Sequence, residues 1–184
     1  MPKSIKYFKK GTKIEVHDKM QSRYEYELSQ NYGENLGQMK AALSPHYMLK
    51  LGVFSGKYLN DCKKEFPKEW YEDAKLSKDG DHGLNFFKVK SRQSLKTWRE
   101  NNWIIEPDVR GWFQWWCRYY IGRRIDEVDG KQIKRWKSFQ RHVAQVEKNA
   151  KRLNRVGDPS YRSKQRQALL QWAHDPYPDV KNIS

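Results

Sequence analysis

Along most of the chain hydrophobic residues return every three or four positions, the period of an amphipathic helix, and only near the start do they alternate. "TKIEV" (12–16) and "RYEYEL" (23–28) alternate and predict the strands of a short hairpin, followed by a loop at "NYGENLG" (31–37). Ser44 and Pro45 have the chemistry of an N-cap and first helical residue and Gly52 that of a stop, so a helix carrying Tyr47, Leu49 and Leu51 is predicted between them. Val53, Phe54, Tyr58, Leu59 and Cys62 continue at helical spacing until Pro67, and "KEWYEDAKL" (68–76) reads as a further short helix. The Gly- and Asp-rich "SKDGDHG" (77–83) is the most loop-like stretch and the softest boundary.

Beyond it, "LNFFKVKSRQSLKTWRENNWIIEPD" (84–108) offers a serine cap at Ser91, a short helix with Leu95 and Trp98, an Asn-Asn turn and an apolar run from Trp103 to Ile105. In "RGWFQWWCRYYIGRR" (110–124) Asp108 is placed to cap a helix and Gly122 to end it. Trp112, Trp115, Trp116 and Tyr119 share one face, flanked by Phe113, Cys117 and Tyr120. So wide an aromatic face is mostly core, because a monomer rarely tolerates that apolar patch in water. Arg110, Gln114 and Arg118 are then left to face outward. From Lys131 to Leu153 a core-facing stripe (Ile133, Trp136, Phe139 or Gln140, Val143, Val146, Ala150, Leu153) predicts one helix of six turns. Its opposite face holds Lys134, Lys137, Arg141, Gln145, Lys148 and Arg152, a basic ridge roughly 27 Å long at 1.5 Å per residue. "VGDPS" (156–160) breaks the pattern, and Asp158 and Pro159 are fit to open a last helix with Leu169, Leu170 and Trp172.

These elements predict a compact, mainly α-helical fold with a short N-terminal β-hairpin. The expected organisation is a basic flexible arm at 1–11, an N-terminal helical part with the hairpin at 12–78, a basic and aromatic helical part at 84–175, and a tail at 176–184. With 184 residues, 37% hydrophobic and 14% aromatic, the chain can bury one good core or two small ones. No apolar run approaches the roughly 18 residues of a membrane span, and "MPKSIKYFKKGTK" lacks the apolar segment of a signal peptide. An intracellular protein with no membrane partner is expected.

Charge changes the picture more than composition does. The net charge is +15, and the stretch from Arg110 to Trp172 holds 16 Lys and Arg against 5 Asp and Glu, whereas residues 21–109 hold 14 against 13. An excess concentrated in a third of the chain is what a polyanion partner would require. Arg162, Lys164 and Arg166 on the first turn of the last helix also oppose its dipole, which a phosphate would relieve.

Two resemblances add to this reading. Residues 84–108 resemble the recognition helix and following strand of helix-turn-helix proteins of the MerR and excisionase type, which implies DNA binding, with Arg92, Gln93 and Lys96 reaching bases. "GVFSGKY", "RGWFQWWCRYYIGRR" and "RQALLQWA" together resemble a family of uncharacterised proteins found in scattered cellular lineages and large DNA viruses, in which tyrosine usually stands where Trp116 does here. That likeness runs from about residue 43 to 175. With no established activity in the family, it implies only that the blocks form one unit.

Catalytic signatures are incomplete. "GVFSGKY" has three residues between its glycines where a P-loop needs four, and Tyr58 replaces the magnesium-binding Ser or Thr. "YYIG" (119–122) is similar to half of the GIY-YIG nuclease signature, but the Gly-Ile-Tyr strand is absent. Asp79, Asp81 and His82 would suit a turn as well as a metal. His17, His46, His82, His142 and His174 have no metal-ligand spacing, and Cys62 and Cys117 read as buried thiols. The expectation is therefore a nucleic-acid-binding protein, DNA ahead of RNA, without a cofactor or metal. Arg110, Arg118, Arg123, Arg124, Lys134, Lys137, Arg141, Lys148, Arg152, Arg162, Lys164 and Arg166 would contact phosphates, and Trp112, Tyr119 or Tyr120 would stack on bases. The alternatives are an enzyme acting on nucleic acid, with its acid among Asp61, Asp79, Asp81 and Asp108, and a module that binds an acidic protein.

Overall fold

Ile14 and Tyr26 face each other across an antiparallel pair, β1 (Lys13–Glu15) and β2 (Glu25–Glu27), in the computed structural model, which describes residues 5–180. The alternation that marked the strands is the alternation of burial: Ile14 points into the core while Lys13 and Glu15 are exposed. Among the described residues seven α-helices follow: α1 (Pro45–Leu51), α2 (Glu69–Glu72), α3 (Leu95–Glu100), α4 (Trp112–Ile121), α5 (Asp126–Ser138), α6 (Gln140–Arg152) and α7 (Ser163–Gln171). The fold is mainly helical with one hairpin, as the pattern predicts.

Local chemistry accounts for several boundaries. Ser44 Oγ accepts from the Tyr47 amide at 3.2 Å and Pro45 opens α1, so the predicted cap is the observed one. At α3 the cap is Ser94, which accepts from the Thr97 amide at 3.1 Å, and not Ser91. Gly111 precedes α4, and Asp108, expected to cap it, is turned into the core.

Two helices of the sequence pattern are not formed as expected. Between Val53 and Phe66 the chain makes only two short 3-10 turns, with left-handed backbone at Phe54, Ser55 and Leu59. Tertiary bonds outweigh helix formation here: Asn85 Oδ1 accepts from the Ser55 amide, Asn60 Nδ2 donates to the carbonyls of Gly56 and Ser77, and Phe54 and Tyr58 pack on Phe113. The six-turn helix is broken at Phe139. Its amide bonds Trp136 O, three residues back, and its ring stacks on Trp172 5.0 Å away, so the stripe is divided between α5 and α6. Asp158 pairs with Arg155 instead of capping α7, which starts only at Ser163.

One hydrophobic cluster runs from Phe8 to Ala173, so the parts expected at 12–78 and 84–175 share a single core. Its centre is α4, buried continuously from Trp112 to Tyr119. The indole N–H groups of Trp112, Trp115 and Trp116 donate to Gln132 O, Asp129 Oδ1 and Leu43 O, which lets these large rings sit inside without an unmet donor. From Ile5 the arm is docked, with Phe8 buried and its carbonyl accepting from Tyr32, and the tail as far as Val180 returns to the core through Asp179. The remainder of both segments lies outside the described residues.

Candidate nucleic-acid interface

The arginines expected on the surface divide sharply. Arg118 is fully buried, donating to Glu65 at 2.7 and 3.2 Å, Asp108 at 3.0 Å and Gln21 at 2.9 Å. Arg123 is buried beside it, with both terminal nitrogens on Asp108 at 2.8 and 2.6 Å. Arg166 is fully buried and holds Asp179 at 2.6 and 2.8 Å. None of these three can reach a phosphate: contrary to the expectation from the sequence, Arg118, Arg123 and Arg166 are core residues. The reason lies in the surroundings of these three side chains: α4 is buried along nearly its whole length and Arg166 lies on the buried side of α7, so each guanidinium meets a carboxylate and not water.

Arg110 and Arg124 are partly engaged as well. Arg110 is clamped by Asp18 at 2.6 and 2.7 Å and by Asp61 at 2.9 Å. Arg124 donates to the carbonyls of Tyr119, Arg123, Glu34 and Asn35, and its guanidinium covers the Tyr119 ring at 3.7 Å. Trp112 and Tyr119 are buried, and Tyr120 packs among Tyr32, Trp70 and Trp116. No ring between Trp112 and Tyr120 is exposed for stacking on a base.

What remains exposed lies on three successive elements. Lys134 and Lys137 on α5, Arg141, Lys148 and Arg152 on α6, and Arg162 and Lys164 around the first turn of α7 are exposed. Among the described residues none of the seven has a carboxylate partner, whereas Lys131, Lys151 and Arg155 pair with Glu127, Glu147 and Asp158. Residues 131–164 hold eleven Lys and Arg against two carboxylates. α6 buries only Val146 and Ala150 of its thirteen residues, and opposite them Arg141, Ala144, Gln145, Lys148 and Arg152 form a stripe about 16 Å long at 1.5 Å per residue.

α7 is fastened to that stripe through amides. Gln165 Nε2 donates to Gln145 Oε1 at 3.1 Å and approaches His142 Nδ1 at 3.4 Å, while Arg162 donates to Gln165 Oε1 at 2.6 Å. Burial, reinforced by the charge of Arg141, keeps the His142 pKa below its ordinary 6.5. Arg92 and Gln93 are exposed just before α3, where Ser91 Oγ donates to Lys164 O at 3.3 Å, so this segment adjoins the first turn of α7. Lys96 is exposed and reaches Glu100 at 3.7 Å. Trp103–Ile105, the strand of the helix-turn-helix likeness, have no strand partner among the described residues. Gln165 and Ala144 were not singled out in the sequence. The signal available was their place on helical stripes beside cations.

The acids of the enzymatic alternative are scattered. Asp61 holds Arg110, Asp81 accepts from Gly83 in its own turn, Asp79 is exposed, and Asp108 lies buried between two arginines. Among the described residues no three His, Cys, Asp or Glu side chains are grouped as a metal site requires. Burial pushes the Cys62 thiol up to about 12 and the Cys117 thiol well above its ordinary value, so neither supplies a thiolate near neutrality.

The three sequence blocks meet in space: Phe54 and Tyr58 pack on Phe113, Gln167 Nε2 donates to Gly52 O at 3.1 Å, and Trp172 packs on Trp112 at 5.0 Å. Comparison of the chain with protein-family models, with curated proteins and with solved structures finds no match to any of them. No helix among the described residues is long and apolar enough to cross a membrane.

Proposed function

We propose that this protein binds nucleic acid, duplex DNA ahead of RNA, through the surface made by α5, α6 and the first turn of α7. The observation that carries this reading is the set of seven exposed, carboxylate-free cations on three successive helices. Like charges gathered this way repel one another, and a polyanion relieves that repulsion while releasing its own counterions. Burial of the aromatic block favours a duplex, because binding unpaired bases relies on exposed rings.

Affinity for short random-sequence DNA duplexes is expected to fall about a thousandfold from ~50 to ~200 mM salt if about six phosphates are neutralised. The variant with Arg141, Lys148 and Arg152 all changed to Ala should bind more weakly, with a salt slope lower by about 3, and should melt as the parent does because these side chains are exposed. An affinity indifferent to salt, or a polyglutamate peptide binding as tightly as DNA, would overturn the proposal.

A further inference from the structure

α4 and α7 are buried over most of their length, but α6 is held by a narrow apolar line and leaves the rest of its circumference to solvent. Its exposed stripe is not uniformly charged. Cations stand at the two ends, Arg141 at one and Lys148 and Arg152 toward the other, and the stretch between them is occupied by Ala144 and Gln145. A helix of this kind has the dimensions of a major-groove element: about 10–12 Å across with its side chains, against a groove about 12 Å wide. The small Ala144 lets the helix approach the groove floor, and the flanking cations fall where phosphates line the groove walls.

Gln145 is also oriented in advance. Its Oε1 accepts one bond, from Gln165 Nε2 at 3.1 Å, and Gln165 is in turn held by Arg162 at 2.6 Å. An amide oxygen has two lone pairs, so one acceptor site remains, and both Nε2 hydrogens remain as donors. A free acceptor next to a free donor is the pair that reads adenine at N6 and N7. The same Gln165 Nε2 lies 3.4 Å from His142 Nδ1, one turn before Gln145 on α6, which fixes that amide further.

We infer that α6 is the helix that enters the major groove of duplex DNA, and that Gln145, positioned by Gln165 and Arg162, reads a base edge there. This rests on the nucleic-acid reading above and moves base recognition from Arg92, Gln93 and Lys96 to α6. Phosphate contact by Arg162 would couple backbone binding to the orientation of the reading amide.

The experiment selects preferred duplexes from a random DNA pool with the full chain and compares them with unselected duplexes. Gln145→Ala should lose preference for the selected sequence by about tenfold while its affinity for unselected duplexes stays near that of the parent. Gln165→Leu should lose part of the same preference, as a positioning residue would. Methylation of guanine N7 in the selected site should block binding, and a minor-groove ligand such as distamycin should not. If the protein binds DNA with a steep salt dependence but distamycin blocks it, or Gln145→Ala keeps full preference, this inference fails and the binding function stands. If α6 serves RNA instead, duplex RNA will compete as well as DNA, although its deep, narrow major groove admits no helix, and the inference fails again. Absence of salt-dependent binding to any duplex removes the function itself.

Discussion

Removing the Arg118 side chain would leave Glu65 without its cation, and Asp108 with Arg123 alone, in a region with no exposed surface to hydrate them. Breaking one partner out of such a buried group costs about 3–5 kcal/mol, a large share of the ~5–15 kcal/mol that holds a domain folded. Arg118→Met is therefore expected to lower the chemical-denaturation midpoint strongly. Adding Glu65→Gln should recover part of the loss, because the orphaned group is then neutral and still accepts from Tyr26, now 2.7 Å from the Glu65 carboxylate. A melting temperature unchanged in Arg118→Met would contradict the burial. At Lys148 or Arg152 the same kind of truncation should leave stability within about 0.5 kcal/mol, since each is exposed and unpaired.

Elements differ in how tightly their ends are specified. α4 stops at Gly122, which has φ 119° and whose carbonyl accepts from the amides of Ser29 and Gln30 at 2.9 and 3.0 Å. A Cβ there would lie 2.1 Å from Gln30 O, so the loop after β2 packs directly on the bare α-carbon. Gly122→Ala combines left-handed strain of about 1–3 kcal/mol with that backbone clash, and denaturation should show a loss above that range. Gly130 in the middle of α5 is the counterpart. A Cβ at Gly130 meets nothing within 4 Å, so Gly130→Ala should stabilise by about 0.5–1 kcal/mol through helix propensity. Comparing the two variants in one denaturation series separates cap geometry from propensity.

At the scale of the whole molecule, one core ties the last segment of the chain to α5 through His174. The ring stacks on Trp136 with centroids 4.9 Å apart, and its Nε2–H donates to Trp136 O at 3.1 Å. Desolvation holds its pKa below the ordinary 6.5, the bond to Trp136 O acting in the opposite direction, and His142 is lowered as well. As pH falls through 6.5 the unfolded chain takes up protons that the folded protein still refuses, so stability is lost on acidification below 6.5. Denaturation midpoints measured from about pH 7 to about pH 5 should fall, and His174→Phe should flatten that slope whatever its effect on absolute stability. An unchanged slope would mean that His174 is protonated in place.

The sequence by itself determined the hairpin, the Ser44 cap, the end of α4 at Gly122 and the aromatic core, because each rests on neighbours within a few residues: alternation, cap chemistry, a glycine, a helical face. It also marked the basic stripe of α6, since exposure of one face follows from the apolar line on the other. The tertiary structure alone decided which arginines belong to that surface. Arg118 finds Glu65 from 53 residues away and Arg110 finds Asp18 from 92, so a count of charge along the chain assigns to the surface cations that distant carboxylates draw inside. The break at Phe139 and the non-helical run from Val53 to Phe66 have the same origin, since ring packing and side-chain bonds to the backbone come from partners that periodicity does not include.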